Sequence, residues 1–291
     1  GDALKYSINA GGAWAAGGNL NTARASSGGA GTQTAALTFG GSTGSDVAIN
    51  ESYDGSSWTE IADINTARQQ LAGSGTTTAA LAFGGSSAQA INESWNATSW
   101  TEVGNLTTGR RYLGGLGTST ASLAVGGYSP GGGYATIVES WNGSSWTEIA
   151  DLNEGRYGLA AVGTSTSAIA FGGNKGGSPA FTGETETWNG TSWTEVADLN
   201  TIRAEIGGAG IQSAALAFGG TVPAVSALTE SWNGTAWTEV ADLATARKRL
   251  AVGGAGTSTL ALAIGGNTGS VTNATEEWTD PSYTIKTVTV S

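Results

Sequence analysis

The sequence predicts an all-β chain: a six-bladed β-propeller of four-stranded antiparallel blades, its ring closed by the N-terminal strand. Three observations lead there. First, a tryptophan is followed ten residues later by an arginine six times: Trp14/Arg24, Trp58/Arg68, Trp100/Arg110, Trp146/Arg156, Trp193/Arg203 and Trp237/Arg247. Successive tryptophans lie 44, 42, 46, 47 and 44 residues apart, a spacing in the range of propeller blades. Second, each period holds four strand-like pieces separated by turn residues. Third, glycine and β-branched residues are frequent and no 3.6-residue apolar stripe persists, which argues against helices.

The pieces recur in a fixed order. After each arginine comes a glycine-rich piece such as 26–32. An apolar piece ending in two glycines follows, at 35–41, 79–85, 121–127, 167–173, 214–220 and 260–266. A loop of varying length leads to Glu-x-aromatic: Glu51/Tyr53, Glu93/Trp95, Glu139/Trp141, Glu186/Trp188, Glu230/Trp232 and Glu276/Trp278. A short turn, usually Asn-Gly or Asp-Gly, then enters Trp-Thr-Glu. Asn-Gly favours a tight hairpin because both residues tolerate positive φ. Inner strands have little room near a central axis, so the glycine-rich piece is placed innermost and the alanine-rich piece second. The tryptophan strands are placed at the periphery and in the gaps between blades.

The whole chain, 1–291, reads as one domain. Its units run about 24–67, 68–109, 110–155, 156–202, 203–246 and 247–280. The constant Trp-to-Arg spacing puts each tryptophan strand one blade before its arginine. Trp14 therefore belongs to the last blade and completes it. Residues 281–291 are left as a tail or extra strand; alternatively Tyr283 takes the tryptophan slot and the N-terminus is surplus.

Composition excludes several roles. The formal charge is −11, with 23 acidic and 12 basic residues, and the sequence pI is about 4.4. Nucleic-acid binding needs cations facing phosphates, so nucleic acid is not an expected partner. No apolar run approaches the roughly 20 residues of a spanning helix, so no membrane insertion is expected. Cysteine is absent, which leaves neither a disulfide framework nor a thiolate metal site. No signal peptide is visible in 1–20. The sequence does not fix the compartment, and a virion or extracellular setting is preferred to a membrane one.

Arginine, a double glycine, an aromatic, tryptophan and then Leu-Asn-Thr-x-Arg together resemble the kelch repeat over residues 14–280. The sequence departs from it in two ways. Glu-x-Trp stands where kelch repeats commonly carry tyrosine. In the sixth unit the arginine-to-glycine distance is 18 residues instead of 16, so Arg249 competes with Arg247 for the slot. The wording is also similar to Trp/Gly/Thr-rich arrays in structural or tail-associated proteins of marine bacteriophages.

In an up-and-down blade, the loops between blades and those between second and third strands emerge on one face. That places Arg24, Arg68, Arg110, Arg156, Arg203 and Arg247 around one mouth of the channel. Two roles are open to them. The kelch resemblance implies a pocket for acidic ligands. Elementary electrostatics instead favours an ion pair with the glutamate of Glu-x-Trp, because six like charges at one mouth repel and buried ionisable groups are normally paired. The loops at 128–138 and 174–185 are the longest and add Tyr128, Tyr134, Lys175 and Phe181, which join the arginines as candidate ligand-binding residues. Arg111, Lys248 and Arg249 are read as solvated surface. The repeated tryptophans are read as core, the Trp-Thr-Glu glutamates as a solvated acidic rim, and Asp63, Asp151, Asp198 and Asp242 as turn caps.

Catalysis is not expected. The chain has no histidine, the commonest general base and metal ligand. A carboxylate pair remains chemically open, as sialidases also use six-bladed propellers. However, the acids sit at repeat-equivalent positions, and 52–58 resembles a sialidase Asp-box one residue short. No metal or cofactor is expected. The functional expectation is a monomeric binding or adhesion module that takes a protein or glycan on its loop face. An assembly element without a specific ligand is the alternative, and a glycoside hydrolase the least favoured.

Overall fold

The computed structural model describes residues 4–8, 11–131, 133–253, 256–280 and 284–288. Five complete four-stranded antiparallel blades follow one another. Blade I is Gly28–Thr32, Ala35–Phe39, Asn50–Tyr53 and Trp58–Ile61; blade II is Ala72–Gly75, Ala80–Phe83, Asn92–Trp95 and Trp100–Glu102. Blade III is Gly114–Thr118, Ala121–Val125, Val138–Trp141 and Trp146–Glu148. Blade IV is Ala160–Thr164, Ser167–Phe171, Thr185–Trp188 and Trp193–Glu195; blade V is Gly207–Ile211, Ala214–Phe218, Thr229–Trp232 and Trp237–Val240. Each glycine-rich strand is innermost. The inner hairpin turns need glycine: Gly31, Gly75, Gly117, Gly163, Gly210 and Gly256 have φ of 100–123°. A Cβ there would lie 2.1–2.4 Å from the carbonyl oxygen across the turn.

The N-terminal strand closes the ring. Ala13–Ala16 pairs antiparallel with Thr275–Thr279, Trp14 opposite Trp278, and Thr275–Thr279 pairs with Leu260–Ile264. This is blade VI. Outside it, Leu4–Ile8 pairs antiparallel with Thr284–Val288 as a separate two-stranded ribbon. The C-terminal extra strand therefore joins the N-terminal residues that precede the closing strand. Tyr283 lies outside the described residues.

The two surplus residues of the sixth unit fall in blade VI's inner segment. Arg247 keeps the repeated slot, and Arg249 does not take it. Among its described residues the inner segment makes isolated bridges, Val252 parallel to Gly28 and Gly256 antiparallel to Ala261. A Cβ on Gly253 would lie 2.1 Å from the Gly29 carbonyl oxygen and 2.6 Å from that of Gly73. Gly253 thus abuts the inner strands of blades I and II. Val252 packs against the apolar cluster between blades II and III. Val252 and Gly253 therefore reach in against the inner strands of blades I and II.

Packing energy lies between blades. Six apolar clusters are each shared by two neighbouring blades, for example Val138 and Leu152 with Trp188 and Trp193 between III and IV. The tryptophans are buried in these seams, except Trp14, which is partly buried there, and large aromatics contribute most to such packing. Backbone stitches repeat as well. The second glycine of each pair donates to the carbonyl of the next blade's arginine, six times over, at 2.7–2.9 Å. The first glycine sits so close to that carbonyl that a Cβ would approach it to 2.4–2.8 Å, which explains why the pair is glycine.

Candidate binding face

The six repeated arginines do not line the mouth. Each is 0% exposed and lies inside its own blade. Arg24 pairs with Glu51 at 2.6 Å, Arg110 with Glu139 at 2.9 Å, Arg156 with Glu186 at 3.0 Å, Arg203 with Glu230 at 3.0 Å and Arg247 with Glu276 at 2.8 Å; Arg68 pairs with Glu93. Five of the guanidiniums, those of Arg24, Arg68, Arg110, Arg203 and Arg247, also donate to carbonyls of their blade. Arg110, for instance, reaches the carbonyls of Gly126 and Ile137 at 2.8 and 2.6 Å. Burial lowers each guanidinium pKa and the facing glutamate opposes that shift.

The glutamates face the preceding inter-blade loop as well. Glu51 accepts from the Asn21 backbone N–H and side-chain amide at 2.8 and 2.9 Å, and Glu230 accepts from Asn200 in the same way at 2.7 and 2.9 Å. The repeated Leu-Asn-Thr-x-Arg phrase is thus a clamp from loop to blade. With both partners buried and committed, these arginines present no free face to a ligand. The candidate pocket of acidic-ligand arginines is corrected to an interior set of charge pairs.

The mouth is built two residues further on. At Ser26, Gln70, Tyr112, Gly158, Glu205 and Arg249 the backbone is left-handed, with φ of 53–65°. Each N–H donates to the carbonyl of the equivalent residue in the preceding blade, at 2.7–3.0 Å. Ser26 donates to Arg249, so the six bonds form a closed belt around the axis. Only one of the six is glycine. For the other five this conformation costs on the order of 1 kcal/mol each, which persists only where surroundings over-determine it. Below the belt, Leu71, Leu113, Leu159, Ile206 and Leu250 converge with Val252 around a void of about 20 Å³, room for about one water. At the opposite end the channel opens into a depression of about 130 Å³ lined mainly by glycines, among them Gly31, Gly117 and Gly210.

Side chains on and beside the belt form an uneven surface. Over blades III and IV four tyrosines meet: Tyr134 stacks on Tyr157 with centroids 5.8 Å apart and 13° between planes, and Tyr128 meets both edge-on at 6.1 and 5.8 Å. Tyr112 lies 5.5 Å from Tyr157. Arg111 lies over the Tyr128 ring at 5.1 Å, within cation–π range. Burial raises the Tyr112 and Tyr157 hydroxyl pKa values, and Glu205 adds to both. Towards blade VI, Glu205 pairs with Arg249 at 2.8 Å and Lys248 at 3.2 Å. A cleft of about 280 Å³ opens between Tyr157, Phe181, Pro223, Asn174, Glu205 and Lys248.

The structure brings Tyr128, Tyr134 and Phe181 to this one region. Tyr134 is 41% exposed. Lys175 is nearby in sequence but is bound to Glu184, which also meets Arg156 at 3.3 Å. Sequence reasoning missed Tyr112, Tyr157 and Glu205, and read Arg111, Lys248 and Arg249 only as solvated surface. The available signal was positional. The two residues after each repeated arginine are those where the units stop copying one another: Ala25-Ser26, Gln69-Gln70, Arg111-Tyr112, Tyr157-Gly158, Ala204-Glu205 and Lys248-Arg249.

No family model matches the chain, and no curated protein matches it. Among solved structures, that of YjhT is similar, with a TM-score of 0.74 at 14% sequence identity, covering 92% of this chain and 99% of that one. The chain and fold together define a six-bladed β-propeller, and a likeness at this identity shows the fold alone. Among the described residues no helix is long and apolar enough to cross a membrane.

Proposed function

We propose that the protein is a non-enzymatic binding module that recognises a protein or glycan through the upper surface of blades III–V. The supporting observation is the contrast between buried arginines that repeat six times and a mouth whose six positions all differ. A rigid scaffold with individual loops is the usual construction of a recognition surface. The absence of histidine weighs against turnover. The kelch-like order of motifs and the likeness to phage repeat arrays fit a virion-associated adhesion role, with the loop face turned to the partner.

The test is a glycan-array and pulldown comparison of the intact chain with variants trimmed at 128–138 and 174–185. Binding that disappears on trimming, with melting unchanged, supports this reading. Binding that survives both trims contradicts it. Hydrolysis of a glycoside by the purified chain would restore the enzymatic alternative.

One observation favours the assembly reading as a second role. The ribbon of Leu4–Ile8 and Thr284–Val288 has only two strands. Such a ribbon is marginal alone in water and leaves two edges open to pairing.

A further inference from the structure

We infer that the cleft between blades IV, V and VI is a subsite for an uncharged sugar ring, a deepening that rests on the loop-face binding reading above. Three properties of the cleft carry this.

The first is shape and size. The volume is about 280 Å³, near the lower end of small-ligand sites, and suits one or two sugar rings. Its mouth is fixed by backbone pairs in place of free loop: Tyr157 bridges Asn174, Asn174 bridges Phe181, and Ala204 bridges Thr221. The walls are therefore positioned before any ligand arrives, which lowers the ordering cost of binding.

The second is the mixture of surfaces. Tyr157, Phe181 and Pro223 supply apolar surface, and the same lining carries the polar groups of Asn174, Glu205, Thr221 and Lys248. Glu205 is only 9% exposed along its side chain, and its Oε2 faces the Lys248 ammonium at 3.2 Å without a well-formed hydrogen bond. The Asn174 Oδ1 accepts from the Gly176 N–H at 2.9 Å. A buried acceptor whose hydrogen bond is poorly made gains from a better-placed donor. A ring that offers a C–H face to Tyr157 and Phe181 and hydroxyls to Glu205, Asn174 and Lys248 satisfies both sides together.

The third is charge. Lys248 and Arg249 are both committed to Glu205. A charged ligand would have to break those pairs, and an anionic one would also approach a chain of net charge −11. A neutral ligand with directional hydroxyls needs neither.

The experiment is a titration of the full chain, followed by amide and side-chain NMR shifts, with methyl β-galactoside, methyl α-glucoside, methyl α-mannoside and N-acetylglucosamine as probes. Glucuronate and a tetra-aspartate peptide are the charged controls. At least one neutral sugar is expected to shift Asn174, Phe181 and Glu205, with a dissociation constant on the order of millimolar. Phe181→Ala is expected to weaken it about tenfold, the scale of losing one apolar contact. Tyr157→Phe, which removes only a hydroxyl, is expected to weaken it less, and both variants should melt as the parent does. No shift with any of the four sugars overturns the proposal, as does a shift that both variants leave intact. If only a charged control binds and maps to these residues, the sugar class fails while the loop face stands. If all ligands map away from blades III–VI, both fail.

Discussion

The interior ring of charge pairs and the belt above it lie two residues apart in sequence and follow opposite rules. At the arginine, six units use one solution: a fully buried guanidinium paired with the glutamate of its own blade, and in five of them also bonded to carbonyls of that blade. At the belt, six units share a backbone and nothing else. The hydrogen bonds run from main chain to main chain, so the side chains are released from structural duty and range from glycine to tyrosine and arginine. Repetition in this chain marks what holds the ring. Individuality marks what the ring displays.

The largest effect expected is at the repeated pair. Arg110→Ala leaves Glu139 buried without its cation and should lower stability by about 3–5 kcal/mol, read from chemical denaturation. A loss below about 1 kcal/mol would mean that the pair is not buried as described. Next is the seam. Trp14 packs edge-on against Phe218 at 5.0 Å, and its Nε1 donates to Thr229 Oγ1 at 3.0 Å. Trp14→Ala should cost about 3 kcal/mol and expose the Trp278 side of blade VI to quenchers. If the variant melts as the parent does, the N-terminal strand is not what closes the ring.

A smaller effect sharpens the comparison within the repeated layer. The outer tryptophan's Nε1 donates to a threonine of the preceding blade in three cases: Trp14 to Thr229, Trp58 to Thr275 and Trp237 to Thr185. Val138 occupies the same slot before Trp193, whose Nε1 has no acceptor. Val138→Thr should therefore add about 1 kcal/mol, seen as a higher melting temperature. A drop in melting temperature would place the indole elsewhere.

The smallest effect concerns a single turn. Asp54 stands where the other turns carry Asn96, Asn142, Asn189 and Asn233, and hydrogen bonds from Ser57 and Ser56 lower its pKa to about 2. A depressed carboxylate pKa gives stability that is present above the ordinary value and lost as pH falls through about 2. Carboxyl-carbon NMR should find that midpoint, and Asp54→Asn should abolish it without affecting the neutral-pH fold.

Much of the fold was legible because the repeat imposes it. The period marked the blades, the double glycine marked the end of each second strand, and the constant Trp-to-Arg spacing placed Trp14 in the last blade, with Trp278. The pairing of arginine with glutamate followed from matching six of one with six of the other. The binding face was only half legible. Tyr128, Tyr134 and Phe181 stood out because their loops depart from the pattern. Tyr112, Tyr157 and Glu205 did not, because they follow a repeated arginine directly and lie outside the loops of varying length. Their left-handed backbone is set by a belt of long-range bonds that no local signal announces. The approach of Val252 and Gly253 to the inner strands of blades I and II had one trace in the sequence, two surplus residues in the sixth unit, and spacing alone does not say where surplus chain goes.

Ring closure by the belt is most directly tested by residue-resolved hydrogen exchange. The amide hydrogens of Ser26, Gln70, Tyr112, Gly158, Glu205 and Arg249 should exchange together, and only as fast as the whole chain unfolds. Rapid exchange at Ser26 or Arg249 while the other four stay protected would show a ring open at its seam and would contradict the account.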